Sequence, residues 1–264
     1  MKIYVGTDIE GVAGVVSFAP QSYPDGKYYE HAKRLLTAEI NAAVEGMLEA
    51  GADDILIVDG HGPGGIVFEE LHPEAKLLHG RPTAPRTVRD PIVEQYDVCV
   101  MLGQHAMAGN DLGNLSHTQN SRSIEGYTLN GIPIGEIAQF ALYQGALGLP
   151  LIFLSGDDQA CSEAEALVRG ITTRAVKTGL SRNSAISLSA VKSRALIREG
   201  VVEAIIRHRE KPIQPLTWEP PFVLEKRYYH TDTADAAAAA PGVERIDDVT
   251  VRLRGDTIQG IIYR

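Results

Sequence analysis

Short apolar runs and helical periods alternate along the first two thirds of the chain. KIYVG (2–6), DILIVD (54–59), VCVML (98–102) and PLIFLS (150–155) are near-continuous hydrophobic segments of strand length, and AKLLHG (75–80) is a shorter one. Between the first two, residues 29–49 place Leu36, Ile40, Val44 and Met47 on one face at helical spacing, with Gly51 as the stop. FEELHP (68–73) reads as a short helix and 136–147 as a longer one. Continuous apolar strands separated by helices predict a parallel sheet covered on both faces.

The pattern changes further along. YTLNGIPIG (127–135) carries Asn130-Gly131, a two-residue hairpin signal. Ser189 is placed to cap a helix over 190–208. TWEPPFVLEKRYY (217–229) and VTVRLRG (249–255) alternate as half-exposed strands do, and Ala236 to Ala240 predict a short helix stopped by Pro241 and Gly242. The expected fold class is α/β. It has a mainly parallel central sheet with helices on both faces, plus a smaller mixed α+β C-terminal layer. The expected division is a core over 1–180 and a C-terminal subdomain over 181–264.

Composition narrows the partners. The 264 residues are 44% hydrophobic and carry a net charge of −9, which argues against a nucleic-acid or anionic-membrane surface. No apolar run reaches the roughly 20 residues of a membrane-spanning helix. The N-terminus reads as a strand rather than a signal peptide, so a cytoplasmic protein is expected. The two cysteines, Cys99 and Cys161, have no CxxC spacing, which excludes an all-thiolate metal site.

The chemistry lies where the apolar runs stop. KIYVG is followed by Thr7, Asp8, Ile9 and Glu10. DILIV ends in Asp59, Gly60 and His61; VCVML in Gly103, Gln104 and His105; LIFL in Ser155, Gly156, Asp157 and Asp158. In a parallel sheet, the carboxyl ends of the strands share the edge where ligands bind. Asp8 and Glu10, two residues apart, can point to one place. Two carboxylates and two imidazoles make an N/O set suited to zinc, manganese or iron. A divalent ion turns the mutual repulsion of the acids into attraction, and paired ions about 3.5–4 Å apart are a common hydrolytic device.

Other positions allow two readings each. His117, in the long polar loop 107–124, is either a solvent-facing loop histidine or a general acid/base. Glu136 suits the first turn of a helix on dipole grounds alone. Asp157 and Asp158 either cap the following helix or orient the histidines. The loop Gly60-His61-Gly62-Pro63-Gly64-Gly65 matches GxGxxG after a strand, but no long helix or later acidic strand end completes a dinucleotide fold. His31, His72, His79, His208 and His230 read as structural. No Walker loop, HExxH or GxSxG is present.

TDIEG (7–11) resembles the (S/T)-x-D-x-E-G signature that opens the D-aminopeptidase family of dinuclear zinc metallopeptidases, the dipeptide-operon type. The similarity continues in order through DGHG, GQHA, LSH, PIGE and SGDD, and is clearest over the first 180 residues. The resemblance implies Asp8, Glu10, His61, His105 and Glu136 as ligands of two zinc ions, with Asp8 as the bridge, and His117 as the catalytic loop histidine. It further implies cleavage of N-terminal D-amino acids from short peptides and amides, and a ring-shaped homo-oligomer, a decamer, with sites facing an inner channel. DTIQGIIYR ends the chain where relatives carry a longer final helix, which bears on subunit packing. Two rival expectations are a nucleotide-binding enzyme using the 60–65 loop and a non-catalytic metal-binding scaffold.

Overall fold

The computed structural model describes residues 1–264. Twelve strands follow one another as β1 (Lys2–Thr7), β2 (Asp54–Asp59), β3 (Ala75–Leu78), β4 (Val98–Gln104), β5 (Ile124–Leu129) and β6 (Ile132–Ile134), then β7 (Leu151–Asp157), β8 (Thr172–Ser181), β9 (Ser184–Ser187), β10 (Phe222–Tyr228), β11 (Val243–Arg245) and β12 (Thr250–Gly255). The helices are α1 (Tyr29–Glu49), α2 (Arg86–Val93), α3 (Glu136–Ala146), α4 (Asp158–Leu167), α5 (Ala190–Glu210), α6 (Thr231–Ala238) and α7 (Ile258–Ile261).

Seven strands form one sheet in the order β3-β2-β1-β4-β7-β8-β9, parallel throughout except for β9. Five form a second, antiparallel sheet in the order β11-β12-β10-β5-β6. The mixed α/β architecture is the one the hydrophobic pattern predicts.

Successive side chains of the central strands enter different cores. Ile3, Val5, Ile55, Ile57, Val98 and Val100 meet Leu36, Ile40 and Met47 of α1 and Ile197, Val201 and Ile205 of α5. Tyr4, Leu56, Cys99, Met101 and Leu154 meet Ile137 and Phe140 of α3 and Ala160 and Ala164 of α4. Burying each of the larger apolar side chains contributes roughly 1.5–3 kcal/mol, so both faces are well anchored.

Helix α3 is the hinge piece of the architecture. Ile137, Phe140 and Ala141 face the parallel sheet, while Ala138, Leu142 and Tyr143 join Leu129, Leu224, Val251 and Leu253 of the antiparallel one. A helix packed between two sheets must be apolar nearly all round, as EIAQFALYQGA is. The layers also interleave along the chain. β5 and β6 belong to the second sheet although they precede β7, and α5 packs back onto α1 although it follows β9.

Some elements differ from the pattern-based expectation. FEELHP forms only a 3₁₀ turn over Phe68–Glu70. α6 begins at Thr231 rather than at Ala236, since polar Thr231-Asp232-Thr233 makes its first turn. α2 is unannounced by periodicity, because Pro91 lies inside it and Val93 is its only buried residue. β8 reads TTRAVKTGLS, too polar to be taken for an inner strand.

Candidate metal centre

The carboxyl ends of β1, β2, β4 and β7 share one edge of the parallel sheet. Beyond Thr7 the chain leaves β1 but stays stitched to β4: the Asp8 amide donates to the Leu102 carbonyl at 2.9 Å and the Gly11 amide to the Gly103 carbonyl at 2.8 Å. Gly103 makes this approach possible. Its φ is +71°, and a Cβ there would stand 2.1 Å from the Asp8 carbonyl oxygen. Asp8 and Glu10 are thus carried, buried, against His61 and His105.

Each imidazole has one nitrogen on a carbonyl. His61 Nε2 faces the Ser22 oxygen at 2.8 Å, His105 Nδ1 the Ala106 oxygen at 2.9 Å, and His117 Nδ1 the Leu115 oxygen at 2.9 Å. A carbonyl only accepts, so these nitrogens carry the protons. The other nitrogens turn toward carboxylates. His61 Nδ1 lies 3.1 Å from Asp8 Oδ1 and 3.2 Å from Glu10 Oε2. His105 Nε2 lies 3.2 Å from Asp8 Oδ2 and 3.5 Å from Glu136 Oε1, and His117 Nε2 is 3.7 Å from that same Glu136 oxygen. The rings of His105 and His117 stack at 4.0 Å.

In neutral histidines these contacts set lone pair against lone pair. Positive charge between the groups resolves the conflict, either as protons or as a cation. The electrostatics show the same demand. Burial disfavours the His61 imidazolium, but Glu10 and Asp8 outweigh it and lift its pKa to about 11. Burial likewise opposes His105, and Asp8 and Glu136 raise it regardless. Burial also works against the Asp8 carboxylate, yet His105 and His61 hold its pKa well below the usual range. Glu10 Oε2 and His105 Nε2 have no hydrogen-bond partner although both are buried. Unpartnered oxygen and nitrogen donors, converging in a buried cluster, fit a zinc site.

His117 differs in sign. Burial lowers its pKa, and the neighbouring His105 charge lowers it further. Its loop is closely held. The His117 amide reaches the Ala106 carbonyl at 3.3 Å, the Phe18 ring meets the imidazole edge-on, and Leu115 and Gln119 on either side adopt positive φ. The Gln119 amide donates to Glu136 Oε1 at 2.7 Å, so the loop also orients the first residue of α3.

Other sequence candidates separate from the cluster. Asp157 caps α4 by accepting from the Ala160 amide at 2.6 Å, and Asp158 accepts from the Gly179 amide. The capping alternative therefore describes Asp157. The 60–65 loop presents carbonyls rather than amides to its clamp: Arg81 donates to the oxygens of Asp59, His61 and Gly62. No long helix opens from this loop, so it lacks the amide cradle of a nucleotide site. His72 and His208 accept local backbone amides, and His79 stacks on Phe68.

Patterning gave no sign of Lys177. From β8 it is fully buried and donates to the carbonyls of Glu10 and Val15 and to Asn114 Oδ1. It ties the turn of Asp8 and Glu10 to the loop of His117. Burial lowers its pKa to about 8, with Asp157, Glu10 and Glu39 opposing. A lysine at an inward position of an otherwise polar strand was the available signal, but only if β8 had been recognised as covered.

The family model described as D-aminopeptidase matches residues 1–263. The chain is 30% identical to a D-aminopeptidase of Bacillus subtilis (strain 168) over 247 residues, 92% of this chain and 87% of that protein. Among solved structures it is similar to the Zn-dependent D-aminopeptidase DppA from Bacillus subtilis, described as a self-compartmentalizing protease. The TM-score is 0.88 at 28% identity, covering 98% of this chain and 93% of that one.

Proposed function

The chain belongs to the D-aminopeptidase family, and from that premise we propose a zinc-dependent aminopeptidase that removes N-terminal residues, D-residues by preference, from short peptides and amides. We assign two zinc ions to each chain. Asp8, Glu10 and His61 would hold one, and Asp8, His105 and Glu136 the other. The observation that carries the assignment is the division of Asp8, whose Oδ1 faces His61 while Oδ2 faces His105. A carboxylate split between two imidazoles supports the reading of Asp8 as a residue shared by both ions.

When bound, zinc supplies Lewis acidity to polarise the scissile carbonyl and to lower the pKa of a water. The remaining steps belong to the chain's own residues. Burial lowers the His117 pKa, and the Leu115 carbonyl puts the proton of the neutral ring on Nδ1, so the Nε2 lone pair can take a proton from the attacking water and return it to the leaving amine. Glu10 and Glu136 are themselves assigned as ligands, so their lone pairs are partly committed, which leaves His117 the freer base. The site opens into a cavity of about 700 Å³, lined on one side by α3 and on another by the loop of His117. A space of this size admits a short peptide and excludes a folded chain.

The solved relative is described as self-compartmentalizing, and we extend self-association to this chain, as a ring and specifically a decamer. Enclosed sites would reinforce the preference for short substrates. The test is zinc analysis together with turnover of D-alanyl and L-alanyl peptides. Two zinc ions per chain and faster D-alanyl cleavage are expected. Less than one zinc per chain after loading would sink the dinuclear site, and metal binding without turnover would favour a scaffold.

A further inference from the structure

The far wall of the same cavity carries two arginines without acidic partners. Arg86 and Arg89 lie three residues apart on α2, hence on one face, and both line the cavity. Neither forms an ion pair, in a chain where 34 acids outnumber 25 bases. Arg89 Nε is buried with no hydrogen-bond partner. Arg86 donates to the Gln259 carbonyl and sits over the rings of Tyr143 and Tyr263, at 5.3 and 5.8 Å from their centroids. That bracket holds a guanidinium in place without neutralising it.

The position matters as much as the charge. The cavity runs from Asp8 and Glu10 past Gly6 to Tyr4, along the face of β1 covered by Phe140. At about 3.3 Å per residue, Thr7 and Tyr4 are roughly 10 Å apart along β1, with Asp8 just beyond. Arg86 and Arg89 line the cavity together with Tyr4, Tyr143 and Tyr263, while Asp90, the neighbour of Arg89 on α2, accepts from the Tyr143 hydroxyl and does not line the cavity. The cavity thus has a carboxylate-imidazole pole and an arginine pole, separated by the length of a few extended residues.

We propose that Arg86 and Arg89 bind the free C-terminal carboxylate of a short peptide whose N-terminal residue is held at the metal pole. The proposal rests on the aminopeptidase reading above and adds to it a substrate class: short peptides with a free α-carboxylate, favoured over their amides and over longer chains. Guanidinium groups suit this task because they meet a carboxylate through two parallel N–H donors.

The test compares D-alanyl peptides extended by one, two or three glycines, each as free acid and as C-terminal amide. The free acid is expected to exceed its amide in kcat/KM by roughly tenfold to a hundredfold, mostly through KM. In Arg89→Met, and more fully in the double variant with Arg86→Met, the acid-to-amide ratio is expected to fall toward one. Arg89→Lys is expected to keep part of it. The ratio is read within each variant, so partial loss of folded enzyme cancels. A wild-type ratio near one, or a ratio unmoved in the variants, would overturn the carboxylate site while leaving the aminopeptidase intact. Hydrolysis of neither form would overturn the aminopeptidase reading and this one with it.

Discussion

At the scale of single residues, the three site histidines are told apart by what each nitrogen meets. His61 and His105 aim a nitrogen at two carboxylates each, whereas His117 aims one at the edge of Glu136 only. His117→Gln is therefore expected to cut kcat by roughly a hundred- to ten-thousandfold while zinc content, measured by metal analysis, stays at the wild-type level. Loss of zinc would make His117 a ligand instead. Glu39 offers a test away from the site. Burial lifts its carboxyl to about 7 from an ordinary 4.5, against the Ala13 amide and Ser193. The folded state thus holds this proton more tightly than the unfolded chain does. The stabilisation is complete below about pH 4.5 and is lost as pH rises toward 7. Glu39→Gln cannot ionise, so denaturant unfolding at pH 5 and 8 should show a flatter dependence and a gain of roughly 1–3 kcal/mol at pH 8.

At the scale of elements, β1, β2 and β4 were readable because their apolar runs end abruptly in acids and histidines. The strand ends converge as expected of a parallel sheet. Glu136 and His117 were readable only through family resemblance, since a helix dipole and an exposed loop explain such residues equally well. α2 and β8 were not readable. An element with one buried residue leaves no period, and a polar strand looks like a loop until its neighbours are known. β8 nonetheless carries Lys177, the brace between the turn of Glu10 and the loop of His117. Lys177→Met would leave buried acceptors on Glu10, Val15 and Asn114 unpaired. The expected cost is about 3 kcal/mol or more, seen as a lower denaturation midpoint.

At the scale of the whole molecule, three carboxylates gather at one sheet edge, and zinc would hold them together. A ligand that binds only the folded state stabilises it by about 4 kcal/mol at a thousand times its Kd. For a chain of this size that corresponds to roughly 8–16 °C in Tm. Chelation should lower Tm by that order, and zinc should restore it. Light scattering should report a mass several times that of one chain, and a monomer would remove the proposed ring. The α/β class was legible from periodicity alone. The interleaving of the two sheets was not, because strand pairing between distant segments such as β5 and β10 leaves no local mark.

That interleaving has a consequence for how the protein is made. On the ribosome, every proposed zinc ligand has been translated once Glu136 emerges. The loop of His117, however, runs directly into β5, whose inner neighbour β10 begins only at Phe222. α3, which starts with Glu136, likewise waits for Leu224, Val251 and Leu253 to cover its second face. The nascent chain thus carries these acids and histidines long before it has the architecture to hold them together. Bringing the cluster together is therefore expected to wait for nearly the full polypeptide, and a chain truncated before Phe222 should hold the acids and histidines without a closed site.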